Sequence, residues 1–309
     1  MIVLNSIEKI NIPTIVALGN FDSMHLGHQR LIAGAVQLAR EHHYLSVVFT
    51  FDQLPANVIA EKTVVKNVLT DEEKFEEINN LGVDVVINAH FDKNMQGMSP
   101  KDFAFNVLKE TLNCKCAVCG FNYSFGYMGH GNPEILEKLG DEAGFKTLVM
   151  DEFKIDGRTV SSSHVRDLLA AGKVNDYLKF TGRRYAIEGK VIEGNHLGTR
   201  MGYPTVNLSL NDEMCLPVNG VYVTFIYIEG KRYYGVTNVG NKPTVGTYEK
   251  NAETYIFGYS GDELYGKDIK VEFIAFRRPE QKFETIEDLE KQIAKDCQDA
   301  SMYLKAYGL

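Results

Sequence analysis

The chain has 309 residues, 44% of them hydrophobic and 24% charged, which is typical of a globular protein with more than one domain. Its 33 Lys and Arg against 41 Asp and Glu give a formal net charge of −8, and such an acidic surface argues against nucleic acid as a partner. No apolar run approaches the ~20 residues of a membrane span, and the first residues lack the basic flank and apolar run of a signal peptide. We therefore expect a cytoplasmic protein with no membrane partner.

The five cysteines are odd in number, which fits reduced thiols in a cytoplasm better than a disulfide framework. Three of them, Cys114, Cys116 and Cys119, lie in the segment CKCAVCG. A zinc site there needs a fourth ligand, for which His130 is a candidate. The small and β-branched neighbours favour a buried strand instead, in which cysteine acts as a small hydrophobic residue.

Residues 1 to about 170 alternate predicted strands with predicted helices. The strands are TIVALGN, YLSVVFTF, VDVVINAHF, CKCAVCG and FKTLVM. Between them, helix starts are indicated by a capping box at Thr70 and Glu73, by Ser99-Pro100 with Asp102, and by Asn132-Pro133. This alternation predicts an α/β fold with a doubly wound parallel sheet.

The pattern changes after Gly182 to short strands separated by turn residues, which predicts an antiparallel, Greek-key β-barrel. The chain then ends in one amphipathic helix that is capped by Thr285 with Asp288. Leu289, Ile293 and Cys297 are predicted to form the buried stripe of this helix. We expect a boundary between residues 172 and 185, and hence two domains, 1–180 and 181–309.

The segment GNFDSMHLGHQRL follows the first long strand and leads into a helix. His25 and His28 flank Gly27 at the predicted helix start, where free backbone N–H groups and the helix dipole favour a phosphate. Imidazoles at this place stabilise charge on an attacked α-phosphate, so the pattern indicates adenylyl transfer. A metal-binding histidine pair and ordinary helix-cap histidines are the alternatives.

The segment GNHLGTRMGYPTVNL carries three glycines at a spacing of four, Gly194, Gly198 and Gly202. Glycines so placed allow a loop to fold over phosphates with exposed N–H groups. Thr205 and Asn207 lie on one side of the extended segment that follows, where their oxygens suit Mg²⁺. The alternative is a glycine-rich hairpin of the barrel.

These motifs together resemble the prokaryotic bifunctional riboflavin kinase/FAD synthetase family. The first has the H-x-G-H signature of nucleotidyltransferases, and GFNYSFGYMGHGNPEIL and VSSSHVRDLLAAGKV resemble that family's later motifs. The resemblance implies that FMN adenylyltransfer uses His25 and His28 as catalytic residues. It also implies that these residues bind the nucleotide: Gly19, Phe21, Gly27, Asn122, Ser162 and Arg166.

The stretch from about Gly182 to Asp296 resembles riboflavin kinase, whose signature G-x₃-G-x₃-G-x-P-T-x-N is present. The resemblance implies a six-stranded barrel and assigns Glu253, in AETYIF, as the base for the ribityl 5′-hydroxyl. It implies that Thr205 and Asn207 hold Mg²⁺, and that ATP is bound by the loop residues Gly194, Gly198, Gly202 and Pro204. Arg278 and Glu280 match a less specific motif that closes the barrel with the last helix.

Two segments depart from the family pattern. FDSMH, with Ser23 and Met24, replaces F-D-G-V-H, and TFDQLP, with Gln53 and Leu54, replaces T-F-x-P-H-P. Leu54 cannot supply the hydrogen bond of an imidazole, and one lost polar contact costs about 1–3 kcal/mol. We therefore expect FAD formation to be slower than FMN formation.

The leading hypothesis is an enzyme that phosphorylates riboflavin to FMN with Mg-ATP and adenylylates FMN to FAD. Its partners would then be the small molecules riboflavin, FMN and ATP. A kinase with an inactive or flavin-sensing first domain is one alternative. A non-catalytic flavin-binding regulator is another, although a pure binder needs no Glu253 base beside the Thr205 and Asn207 metal site.

Overall fold

The computed structural model describes residues 1–194, 202–211, 213–244 and 247–309. The chain divides into two compact units, Met1–Val165 and Arg166–Leu309. This division lies inside one helix and before the predicted boundary at residues 180/181, which stays a prediction. Among the described residues, no helix combines the length and apolar character needed to cross a membrane.

The first unit contains eight strands, six complete α-helices and a short 3-10 helix, Tyr127–Gly129, in the described part of the chain. The strands are β1 Ile2–Leu4, β2 Thr14–Leu18, β3 Leu45–Phe51, β4 Val85–Ala89, β5 Cys114–Gly120, β6 Lys146–Met150, β7 Lys154–Ile155 and β8 Arg158–Thr159. The helices are α1 Leu26–His42, α2 Pro55–Ala60, α3 Asp71–Asn80, α4 Lys93–Gly97, α5 Pro100–Asp102 with its π-helical continuation Phe103–Thr111, and α6 Pro133–Ala143. Helix α7, Ser162–Ala170, begins in this unit and ends in the second.

Six strands of the first unit form one parallel sheet in the order β1-β4-β3-β2-β5-β6. Alternate residues of β2 face opposite sides: Ile15 packs in the cluster that contains α1, and Val16 packs in the cluster that contains α5 and α6. Helices on both faces confirm the predicted doubly wound α/β sheet. Strand β1 was not predicted.

The helix caps and the cysteine strand confirm the sequence analysis. Thr70 and Glu73 form the predicted capping box, and Ser99, Asn132 and Thr285 each cap a helix with a side-chain oxygen. CKCAVCG is the buried strand β5, where burial raises the pKa of the Cys119 thiol to about 12.

The second unit is a closed antiparallel barrel between two helical elements. Its elements are α8 Val174–Thr181, β9 Ala186–Ile192, β10 Thr205–Ser209, β11 Gly220–Ile228, β12 Lys231–Thr244, β13 Thr247–Ile256, β14 Asp268–Pro279 and α9 Ile286–Ala306. The strand order is β10-β13-β12-β11-β14-β9, and β9 pairs with β10 to close the ring. This confirms the predicted barrel with a C-terminal helix.

Buried hydroxyls inside the barrel satisfy one another, as buried polar groups must. Thr237 Oγ1 lies 2.9 Å from the hydroxyls of both Thr224 and Thr254. Since side chains alternate along a strand, the neighbouring residues of β12 and β13 face outward. The outer face thus carries Asn238 and Glu253.

Helix α9 covers part of this outer face, but the prediction of which of its residues form the buried stripe is only partly right. The buried residues of α9 are Asp296, Ala300 and Leu304. Leu289, Ile293 and Cys297 are half-buried because they line a cavity between the helix and the barrel. Burial and the neighbouring Asp296 raise the pKa of the Cys297 thiol to about 11.

Candidate active sites

The strand order of the first sheet places the motif loops together. Strand β2 has β3 on one side and β5 on the other, so the chain direction across the sheet reverses between β2 and β5. Ligands of doubly wound sheets bind at such a point, beyond the carboxyl ends of the strands. GNFDSMH follows β2, and the segment that begins with Phe121 and Asn122 follows β5.

A cavity of about 370 Å³, here called the aromatic cavity, opens at this point. Its wall includes Phe21, Phe49, Phe51, Phe91, Phe103, Tyr123 and Phe125. Tyr123 stacks on Phe125 with ring centroids 5.6 Å apart, and burial raises the pKa of its hydroxyl. Such a wall suits a flat, apolar ring system. Sequence reasoning missed most of these side chains, although FTF and NYSF place aromatic residues at alternate positions.

A second cavity of about 260 Å³ is named the serine cavity for Ser161, Ser162 and Ser163 in its wall. The predicted residues His25 and Gly27 line it. The two cavities share the wall residues His28, Leu31, Gly120, Asn122 and Ser162. His28 and Asn122 are therefore positioned to contact ligands in both cavities at once.

His25 is the N-cap of α1, and the helix begins at Leu26, between the two histidines. The Nδ1 atom of His25 accepts a hydrogen bond from the backbone N–H of His28 at 3.1 Å. An accepting Nδ1 carries no proton, so the neutral ring has its proton on Nε2. The two imidazoles stack with centroids 3.6 Å apart. Capping thus fixes the tautomer and orientation of a ring that also lines the serine cavity.

Two residues of the loop between β2 and α1 have a strained backbone conformation. Phe21 and Met24 are fully buried and have φ of 50° and 42°, in the left-handed region that non-glycine residues rarely adopt. A side chain at Gly19 would lie only 2.9 Å from the Phe21 ring, which explains the glycine. Phe21 in turn meets His28 edge-on at 5.2 Å.

Ser23 stands where the family pattern has glycine, yet its own φ is not positive. The residue is fully buried, and its hydroxyl lies 3.0 Å from the hydroxyl of Ser162. The departure therefore adds a hydrogen bond to a wall residue of both cavities.

The second departure leaves a leucine at the N-cap of α2. Leu54 makes no side-chain cap hydrogen bond there. An imidazole is nonetheless present at this edge of the sheet, because His90 after β4 lies 2.6 Å from Asp52 after β3. Asp52 also accepts the backbone N–H of Phe91 at 3.2 Å. These contacts connect the loops that follow β3 and β4.

Two arginines are candidates for the predicted nucleotide site. Arg166 lies on α7, one helical turn after Ser162, and it belongs to the second unit. Arg30, which the sequence analysis did not select, lines the serine cavity with its guanidinium 5.6 Å from the ring centre of Phe153.

The second unit has its own cavity of about 330 Å³, here called the barrel cavity. It lies between the outer face of the barrel and α9. Apolar residues form most of the wall, among them Val221, Val236, Tyr255, Phe283, Leu289 and Ile293. Thr205, Asn238 and Glu253 supply polar groups at the strands.

The predicted catalytic and metal-binding residues meet at the edge of this cavity. Asn207 on β10 pairs directly with Glu253 on β13, so their side chains share one face. Thr205 Oγ1 donates a 2.6 Å hydrogen bond to Glu253 Oε1. The buried Asn207 amide oxygen accepts from the amide of Asn251 at 3.1 Å.

The glycine loop is described only at its ends, and Gly198 lies outside the described residues. A side chain at Gly194 would come within 2.3 Å of the Asn207 amide nitrogen, so this position requires glycine. Gly202 has φ of 79°, in the left-handed region. Pro204 is exposed and directly precedes β10.

An ion pair holds α9 against the barrel at the wall of the barrel cavity. Arg278 on β14 donates from Nε and Nη2 to the two carboxylate oxygens of Asp296, at 2.8 and 2.6 Å. Gln292 also donates to Asp296 at 2.9 Å. Arg278 thus closes the barrel with the last helix, as expected, whereas Glu280 accepts from Asn219 at 3.0 Å.

Comparison with known proteins decides the family. The family model described as FAD synthetase matches residues 7–164, and the model described as riboflavin kinase matches residues 181–304. A bifunctional riboflavin kinase/FMN adenylyltransferase of Bacillus subtilis is 34% identical over 96% of this chain and 94% of its own length. The chain belongs to the bifunctional riboflavin kinase/FMN adenylyltransferase family.

Other relatives agree with this membership. The riboflavin kinase/FMN adenylyltransferase of Escherichia coli K12 is 31% identical over 91% of this chain and 90% of its own length. A crystal structure from Streptococcus pneumoniae, described as a macrolide-efflux protein, has a TM-score of 0.85 at 27% identity. The match covers 96% of this chain and 97% of the Streptococcus pneumoniae chain, so the two proteins share their fold over nearly their whole length.

Proposed function

We propose that this member of the family converts riboflavin to FMN in its second unit and FMN to FAD in its first, with ATP as the second substrate of each reaction. The observation that carries the proposal is that each unit holds its own cavities with predicted reactive residues in their walls: the aromatic and serine cavities in the first unit and the barrel cavity in the second. The reduced thiols and the use of ATP favour the cytoplasm as the site of both reactions.

In the kinase reaction, Glu253 is the base. The 5′-hydroxyl oxygen of riboflavin attacks the γ-phosphorus of ATP, while Glu253 accepts the proton of this hydroxyl. The bond from the γ-phosphorus to the β,γ-bridging oxygen breaks, and ADP leaves. The hydrogen bond from Thr205 fixes the Glu253 carboxylate in the barrel cavity. The apolar wall binds the flavin ring and excludes water.

The residues beside Glu253 fit Mg²⁺. The Thr205 hydroxyl and the Asn207 amide oxygen are hard oxygen donors two residues apart on β10, the type of ligand that this cation prefers. When bound, Mg²⁺ neutralises charge on the ATP phosphates. The contact with Asn251 orients the Asn207 amide so that its oxygen has a fixed position.

In the adenylyltransferase reaction, an oxygen of the FMN phosphate attacks the α-phosphorus of ATP. The bond from this phosphorus to the α,β-bridging oxygen breaks, and pyrophosphate leaves. No base is needed because the attacking oxygen is already anionic. We assign the flavin ring to the aromatic cavity and the ATP phosphates to the serine cavity, where His25, His28 and the start of α1 stabilise the developing charge.

The test uses the purified full chain with ATP and Mg²⁺, and chromatography to separate FMN from FAD. Glu253→Gln should lower FMN formation from riboflavin by about 10²–10⁴-fold, while FAD formation from added FMN stays near the wild-type rate. His28→Ala should give the opposite result, so each variant is the control for the other. Normal FMN formation by Glu253→Gln contradicts the kinase assignment. No FAD from oxidised or reduced FMN leaves the kinase as the only activity.

A further inference from the structure

One polar residue of the barrel cavity has no role in the proposed mechanism. Asn238 lies on β12 and pairs directly with Glu253 on β13 and with Val221 on β11. Residues directly opposite in an antiparallel pair project to the same face with Cβ atoms about 4.5–5.5 Å apart. Asn238 is half-buried and lines the barrel cavity beside the proposed base.

The hydrogen bonds around Glu253 distinguish Asn238 from its neighbours. The Thr205 hydroxyl donates to Glu253, and the Asn207 amide oxygen accepts from Asn251. In the part of the chain that the structure describes, the side-chain amide of Asn238 makes no hydrogen bond. It therefore offers two N–H donors and one carbonyl acceptor to a cavity whose wall is mainly apolar. A polar group in such a place is stabilised when a ligand bonds to it.

The substrate brings a matching group to this position, an argument that rests on the proposed kinase function. The 5′-hydroxyl must lie about 2.6–3.2 Å from the Glu253 carboxylate for proton transfer. The 4′-hydroxyl is on the next carbon, and a gauche rotamer places two vicinal oxygens about 3 Å apart. A hydroxyl at that distance from the 5′ oxygen is within reach of the side chain directly opposite Glu253.

We propose that Asn238 binds the 4′-hydroxyl of the ribityl chain. The bond orients the terminal hydroxyl toward Glu253 and selects flavins that carry a polyhydroxylated side chain over flavins with a simple alkyl alcohol. A site that hydrogen-bonds a substrate hydroxyl rejects the analogue that lacks it, because the polar group of the site is then left without its partner.

The experiment measures kcat/KM for phosphorylation of riboflavin and of 4′-deoxyriboflavin, with the full chain and Mg-ATP. Wild type should prefer riboflavin by about 10–100-fold, the effect of one lost buried hydrogen bond. Asn238→Ala should lose a similar factor with riboflavin, and its preference should fall to within about threefold. Asn211→Ala, at an exposed position after β10, is the matched control and should keep the wild-type preference. A defect that is only structural would lower kcat/KM equally for both substrates and leave the preference for riboflavin intact.

The outcomes separate this inference from the function on which it rests. If wild type does not phosphorylate riboflavin, the kinase proposal fails. If wild type is active but does not discriminate, or if Asn238→Ala keeps the full preference, Asn238 does not bind the 4′-hydroxyl. Asn238→Ser, whose side chain is too short to reach, is measured in parallel so that poor folding of one variant does not prevent the result.

Discussion

The hydroxyl of Ser23 connects the loop after β2 to the first residue of α7. Its partner Ser162 lines both the aromatic and the serine cavity. Ser23 is fully buried, so solvent water does not reach the position of its hydroxyl and does not restore the lost hydrogen bond when the hydroxyl is removed. The hydroxyl that departs from the family pattern is thus part of the wall where the two substrates of adenylyl transfer meet.

Ser23→Ala should therefore slow FAD formation and leave FMN formation unchanged. Loss of one buried hydrogen bond costs about 1–1.5 kcal/mol, or roughly tenfold in rate. The measurement is FAD produced from FMN and ATP, with Ser6→Ala at an exposed position as the matched control. FAD formation within twofold of wild type would show that Ser162 keeps its orientation without Ser23.

The protonation of His90 depends on its neighbour Asp52. The hydrogen bond with Asp52, with its charge and a smaller contribution from Asp92, raises the pKa of His90 above the ordinary histidine value. The folded state therefore favours protonated His90. This stabilisation is fully present below pH ~6.5 and is lost as the pH rises through the raised value.

An NMR titration of the His90 ring should show a pKa above that of free histidine. Asp52→Asn removes both the hydrogen bond and the larger charge, so it should bring the pKa back toward the ordinary value. Asp92→Asn is the matched control and should move it less, because Asp92 contributes only a weaker charge interaction. Equal pKa values in wild type and Asp52→Asn would mean that the pair does not persist in solution.

Helix α9 is held to the barrel by a bidentate ion pair next to the barrel cavity. Asp296 is 7% exposed and the Arg278 side chain 18% exposed, so water competes little for this contact. Further along α9, Ala300 and Leu304 pack against Val223 and Ile274. The ion pair thus fixes the half of the helix whose side chains form the cavity wall.

Asp296→Asn should loosen α9 and raise the KM for riboflavin, with little change in the KM for ATP. Breaking a buried pair by removing one partner costs about 3 kcal/mol or more. The matched control is Asp268→Asn, which breaks the exposed pair with Lys190 and should change stability by less than about 1 kcal/mol. Thermal unfolding and riboflavin KM are measured for both, and equal behaviour of the two variants would contradict an anchoring role for Asp296.

The sequence predicted the elements whose signals are local. Period-2 and buried apolar runs indicated β2 to β6, and caps such as Thr70 with Glu73 indicated helix starts. Strand β1 has only three residues, and α2 and α4 are short, so their patterns are too brief to read. At the sites, motif residues such as His28 and Glu253 were predicted. Asn238 and His90 were not predicted, because contacts between residues far apart in the sequence place them. Strand pairing brings Asn238 beside Glu253, and the fold of the sheet brings His90 beside Asp52.

The two matching family models leave residues 165–180 unassigned between them. The structure shows that residues 166–180 of this segment are part of the barrel unit. Tyr177 of α8 is buried and meets Tyr185 edge-on at 5.6 Å, and the carbonyl of Leu169 accepts the backbone N–H of Val218 at 3.0 Å. A side chain at Gly172 would press on Phe276 at 3.2 Å. The composition break near Gly182 therefore does not coincide with the edge of the packed unit.

A fragment of residues 161–309 should fold alone and form FMN from riboflavin with Mg-ATP, because it keeps all of α7, its Ser161 cap and α8. A fragment of residues 182–309 lacks the buried Tyr177 and Phe180, and removal of one such aromatic contact costs about 3–5 kcal/mol. Since whole domains are stable by only about 5–15 kcal/mol, the shorter fragment should unfold at a clearly lower temperature and lose FMN formation with it. Thermal unfolding and FMN formation are compared for both fragments and the full chain. If 182–309 matches 161–309 in both, the packing of α8 does not support the barrel; if neither is active beside an active full chain, the kinase depends on the first unit.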